Sequence, residues 1–136
     1  MERAESERFR ELLPFCGLLD IELLKFTAEL VQARMAWAPE RCTAGGVLHG
    51  GALMSLADSC GGGCAFLNLP DGTSGTSTIE SKTNFFSAVR SGQVTASAHP
   101  LHAGRSVIVI ETNLTLEDGS LVAKTIQSQA VLHNRD

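Results

Sequence analysis

Val47-Leu48-His49-Gly50-Gly51-Ala52-Leu53-Met54-Ser55-Leu56-Ala57-Asp58-Ser59-Cys60 is the stretch whose reading decides the fold. Leu53, Leu56, Ala57, Cys60 and Cys64 recur at the spacing of a helix with one apolar face. The preceding residues 39–46 carry Pro39, Thr43 and the pair Gly45-Gly46 and read as loop, so one long helix is expected over about residues 50–67. Gly61-Gly62-Gly63 sits in its interior, where each glycine costs roughly 1 kcal/mol relative to alanine. Such a violation of local preference points to close packing or a ligand at that turn.

Beyond the helix, residues 70–75 (Pro-Asp-Gly-Thr-Ser-Gly) form a loop, and four strand-like runs follow over 76–86, 92–101, 106–116 and 121–132. Between the last two lies Glu117-Asp118-Gly119-Ser120, whose Asp-Gly pair suits the positive φ angles of a tight hairpin. Short connections of this kind join antiparallel neighbours. Before the helix, residues 18–26 and 29–37 alternate with period two, with a kink or turn near Thr27; Val31, Ala33, Met35 and Trp37 share one phase. At the start, Phe9, Leu12 and Leu13 fall on one side of a charged helix over residues 2–13 that Pro14 stops, a short lid or packing element. The expected class is α+β: an antiparallel sheet with one long central helix packed on it and a short N-terminal helix. Residues 1–136 make one domain, with the N-terminal helix in 1–14 and the core in 15–132.

The composition narrows the function classes. An apolar share of 43% and a mean hydropathy of +0.07 are those of a globular protein. A net charge of -4 and a pI near 5.5 argue against a grip on nucleic acid, which needs a dominant basic face. No apolar run approaches the ~20 residues of a membrane span, and the acidic, polar start is unlike a secretory signal, so the expected compartment is the cytoplasm. Cys16, Cys42, Cys60 and Cys64 lack the histidine spacing of a zinc site and read as small buried thiols, with no metal expected.

The run from Val47 to Asp58 resembles the signature of hotdog-fold acyl-CoA thioesterases, in which HGG opens the central helix and a carboxylate follows nine positions after the histidine. Pro100-Leu101-His102-Ala103-Gly104-Arg105 resembles the CoA-contacting turn of the branch that includes phenylacetyl-CoA, hydroxybenzoyl-CoA and 1,4-dihydroxy-2-naphthoyl-CoA thioesterases. Gly17-Leu18-Leu19-Asp20-Ile21 is similar to the start of the last of these. The resemblance implies a hotdog fold, hydrolysis of an aromatic or medium-chain acyl-CoA without a cofactor, and back-to-back homodimers often paired into homotetramers. It also implies a Ser or Thr against the water or carboxylate, which Thr78 matches. One departure stands out: six positions before His49, where relatives often carry Asn or Gln, this chain has Thr43.

Thioester hydrolysis needs a group that stabilises the developing oxyanion and one that activates water or attacks directly. The Gly50 backbone N–H, at a helix N-terminus and without a side chain in the way, suits the first task, although both glycines also serve a tight turn. Asp58, among Met54, Leu56, Ala57, Cys60 and the glycines, suits the second as general base or nucleophile. Eight residues at ~1.5 Å rise put Gly50 and Asp58 ~12 Å apart along one helix, too far to share one carbonyl. A two-fold dimer with antiparallel helices would bring Gly50 of one subunit to Asp58 of the other. His49 is expected to hydrogen-bond locally and hold the loop that presents Gly50. For the substrate and its CoA, Gly51, Arg90, His102, Gly104 and Arg105 are the expected contacts, at strand ends or turns where phosphate and pantetheine can be met. Two other readings stay open: a module that binds acyl-CoA without hydrolysing it, and a hotdog hydratase or dehydratase.

Overall fold

The computed structural model describes residues 3–134. In chain order the elements are α1 (Arg3–Leu12), α2 (Pro14–Leu18), β1 (Glu22–Phe26), β2 (Val31–Ala36), a 3-10 turn (Pro39–Arg41), α3 (Gly50–Leu67), β3 (Thr73–Phe85), β4 (Gln93–Ala103), β5 (Val107–Thr115) and β6 (Leu121–His133). The six strands form one antiparallel sheet in the order β1-β2-β4-β5-β6-β3. The α+β architecture expected from the sequence is present, with α3 lying across the sheet. Leu53, Leu56, Ala57, Cys60, Cys64 and Ala65 of α3 are buried against Val31, Ala33, Met35, Val94, Ala96, Ala98, Ile108, Ile110 and Leu114.

The long helix begins and ends where the spacing of its apolar positions put it. The N-terminal region differs from expectation. Pro14 does stop α1, but it also opens a second helix, because a proline at the first helical position gives up an N–H that the helix would not have used. The strand expected from residue 18 therefore starts only at Glu22, after a turn in which Asp20 takes a positive φ of 52°. Glu2 of the expected N-terminal helix lies outside the described residues. The kink expected near Thr27 is a tight turn, closed by hydrogen bonds in both directions between the Thr27 and Leu30 backbones.

The connection after β3 is not a hairpin, although it is short. Residues 86–92 cross the ends of β6 and β5 and deliver β4 beside β2. Phe86 N–H donates to the Val122 carbonyl, Leu48 N–H to that of Val89, and Trp37 N–H to that of Gly92. Val89 is buried under this crossing, so an apolar plug holds the loop to the N-terminal end of α3. The crossing leaves β3 at the edge of the sheet, paired along its whole length with β6 alone.

Candidate active site

His49 caps α3. Its Nδ1 accepts the Gly51 N–H at 2.8 Å, and its carbonyl takes the N–H groups of Ala52 and Leu53. Gly50 N–H is thereby left as a first-turn donor with no acceptor among the described residues. A Cβ on Gly51 would sit 2.9 Å from the His49 ring, so the cap requires glycine there. Gly51, expected to meet substrate, directs its N–H at the His49 ring. A Cβ on Gly50 would meet the Phe85 ring at 3.2 Å. The helix tip opens on a hollow of about 360 Å³ lined by Gly50, Leu53, Phe85, Phe86 and the 87–89 loop.

Two turns further along, Asp58 points away from the core and is exposed. Both of its hydrogen bonds fall on one oxygen: Gln127 Nε2 donates to Oδ1 at 3.3 Å, and Thr78 Oγ1 lies 3.5 Å from the same atom. The Thr78 proton has a closer acceptor in Gln129 Oε1 at 2.7 Å. Gln127 Nε2 also donates to Gln129 Oε1 at 2.9 Å, and Gln129 Nε2 donates to Thr76 Oγ1 at 3.1 Å. Asp58 is therefore the exposed end of a polar chain whose members Gln127 and Gln129 are buried. Beside it lies a cleft of about 750 Å³ between α1–α2 and the outer face of α3, walled by Leu12, Leu13, Phe15 and Phe66 and floored by Thr76, Thr78 and Gln129.

The glycine run divides by position. A Cβ on Gly61 would fall 2.0 Å from Gln127 Oε1, and one on Gly63 would meet the Phe26 ring at 3.1 Å. Gly62 faces open space on the wall of the cleft. Close packing accounts for two of the three glycines.

Cys16 also borders the cleft, 3.2 Å from Ser59 Oγ. Burial raises its thiol above the ordinary value against the opposing pull of Ser59, and burial pushes Cys64 up to about 11 and Cys60 further. These thiols are poor nucleophiles near neutrality. Among the described residues no group of His, Cys, Asp and Glu is placed to hold a metal ion.

The residues expected to meet CoA divide between the two ends of the sheet. Arg90 is exposed on the loop tied to the α3 N-terminus. His102, Gly104 and Arg105 lie at the β4–β5 turn, beside the end of β6, where the Arg105 carbonyl contacts His133 Nε2 at 2.9 Å. Gly104 is a site of close approach, since a Cβ would stand 2.6 Å from His102 Nε2. Thr43 is exposed in the loop before α3, its N–H bound to the Val47 carbonyl. One chain alone brings Asp58, Thr78 and Gln127 together and keeps Gly50 apart from them.

Sequence reasoning missed Gln127 and Gln129. Their signal was faint but present: period two on β6 puts them in phase with Ala123, Thr125 and Val131, on the face that turns toward α3.

The model of the family described as thioesterase superfamily matches residues 45–123, more than half of the chain. The chain is 32% identical over 133 residues to a candidate esterase of Saccharolobus solfataricus, covering 98% of this chain and 94% of that one. It is 32% identical over 114 residues to the proofreading thioesterase EntH of Cronobacter turicensis, covering 84% and 82%. The crystal structure of a Haemophilus influenzae thioesterase superposes with a TM-score of 0.86 at 28% identity, covering 94% of this chain and 90% of that one. That of a mutant thioesterase from Pseudomonas aeruginosa superposes with 0.87 at 28% identity, covering 95% and 94%.

Proposed function

Because this chain belongs to the thioesterase superfamily and is a hotdog-fold thioester hydrolase, we propose that it cleaves acyl-CoA with Asp58 of one protomer and the Gly50 amide of another. The observation that carries this reading is a complementary pair of groups on α3: a donor N–H at Gly50 with no acceptor among the described residues, and a carboxylate held by one oxygen at Asp58. Gly50 N–H meets the thioester oxygen as it gains charge. Asp58 Oδ2, which has no partner among the described residues, either takes a proton from the attacking water or attacks the thioester carbon itself. Collapse of the tetrahedral species breaks the C–S bond, and the CoA thiolate leaves and takes up a proton. Direct attack leaves a mixed anhydride on Asp58, which water then opens. Neither route calls for a cofactor, since CoA arrives as part of the substrate.

The two groups lie ~12 Å apart along one helix at ~1.5 Å per residue, so each site needs two chains. The edge of β3 supports such a pairing. It is 13 residues long, and Met54, Phe66, Ile79, Phe85 and Phe86 stand exposed on or beside it. Two β3 edges joined about a two-fold axis lay the two α3 helices antiparallel. Each site is then flanked by Arg90 from one chain and the His102–Arg105 turn from its partner, which supply cations and a backbone turn for CoA phosphates. Two such dimers pair into the tetramer. The cleft beside Asp58, with its apolar walls, suits an aromatic or medium-chain acyl group. The four free thiols fit a reducing cytoplasmic setting.

The test is thiol release from a panel of acyl-CoAs by wild type and by Asp58→Ala. Loss of kcat by about 10²- to 10⁴-fold in the variant supports the reading. Tight binding without release would assign the chain to acyl-CoA binding instead, and consumption of an enoyl-CoA double bond would assign it to hydration.

A further inference from the structure

A buried amide with an orphaned oxygen is a cost that packing alone does not explain. Gln127 is fully buried on β6, and its Oε1 has no hydrogen-bond partner among the described residues. Unmade hydrogen bonds of this kind destabilise a fold, and an apolar side chain of the same shape would avoid the loss. The rest of the surroundings nevertheless conforms to this glutamine. Gly61 forgoes a side chain in mid-helix, since its Cβ would lie 2.0 Å from Gln127 Oε1 and 2.5 Å from Cδ. The amide can face only one way, because Nε2 lies between two acceptors, Asp58 Oδ1 at 3.3 Å and Gln129 Oε1 at 2.9 Å. Gln129 is fixed in turn by Thr78 and Thr76, and Thr76 Oγ1 by the Ala130 carbonyl at 2.8 Å.

We propose that Gln127 is a positioning residue for Asp58: its amide holds Oδ1 and thereby aims Oδ2 at the thioester, and Gly61 is glycine so that it can. This inference rests on the reading of Asp58 as the catalytic carboxylate. An exposed aspartate on a helix otherwise samples several rotamers, and a donor anchored in the core removes that freedom from one side only. Stability is given up for geometry, as is common where a site must be preorganised.

The test is Gln127→Met, which keeps length and volume and removes the donor. The expected result is a kcat lower by about 10- to 100-fold, the range for losing a hydrogen bond to a charged group, with KM within about two-fold and a Tm equal to or above that of wild type. Gly61→Ala, which displaces the amide, should lower kcat likewise, yet lower it no further when added to Gln127→Ala. Wild-type kcat in Gln127→Met beside an inactive Asp58→Ala overturns the inference and leaves the role of Asp58 standing. In Gln127→Met, a fall in kcat matched by a fall in Tm overturns it in favour of a structural role. Full activity in Asp58→Ala overturns both.

Discussion

Gly61 and Gly62 are adjacent in the chain and opposite in what they tolerate. Helix propensity alone favours alanine at both by roughly 0.8–1 kcal/mol. At Gly62 nothing lies within 4 Å of an added Cβ, so Gly62→Ala should raise stability by about that amount. At Gly61 the added methyl meets a fully buried amide, and overpacking of this kind costs about 1–3 kcal/mol. Thermal unfolding of the two variants checks the pair, and equal shifts would mean that Gln127 does not occupy the space assigned to it. From sequence, the three glycines announced a constraint without saying which of them carried it. The answer depends on β6, more than sixty residues away, and local patterning holds no information about which side chain arrives across the core.

Among the elements, α3 was legible from end to end because His49, the glycine pair and the apolar spacing agree. The four later strands were legible to within a few residues, and β4, β5 and β6 alternate with one face buried, whereas β3 at the sheet edge has no buried residue. The order of β3 in the sheet was not, since a seven-residue connection suggests a hairpin and only the burial of Val89 and the bonds to Val122 and Leu48 send the chain across. The β5–β6 turn carries a prediction of its own. Asp118 Oδ1 accepts from the Ser120 hydroxyl at 2.6 Å and from its N–H at 2.9 Å, and these bonds hold the carboxyl below its ordinary value of 3.8. A depressed value in the folded state means that the stabilisation is fully present above pH 3.8 and is lost as the pH falls through the folded-state value. Asp118→Ala should therefore unfold at a slightly lower temperature than wild type at neutral pH, and the two melting curves should converge as the pH falls below the folded-state value. A gap that persists in acid would show that the turn does not depend on the charged form.

At the scale of the whole molecule, the site was only half legible. The motif pointed to Gly50 and Asp58 as candidates, and the length of the helix between them called for a second chain in the proposed site, whereas the buried amides behind Asp58 appear only in three dimensions. A shared site has a distinctive behaviour when two defective proteins are mixed. Asp58→Ala and Gly50→Val, each inactive as a homodimer, should together regain about a quarter of wild-type activity, because half of the randomly paired dimers carry one intact site of two. Subunit exchange followed by a thiol-release assay measures it, and no recovery despite proven exchange would mean that each chain works alone.

The rod that joins Gly50 to Asp58 has one further implication. In the site as proposed, a rigid helix with a donor at its tip and an acid two turns down contributes half of each of two catalytic centres and the whole of neither. On the proposed sharing of the site, a freshly made chain is silent until it meets another, and catalytic capacity follows the number of couples instead of the number of polypeptides.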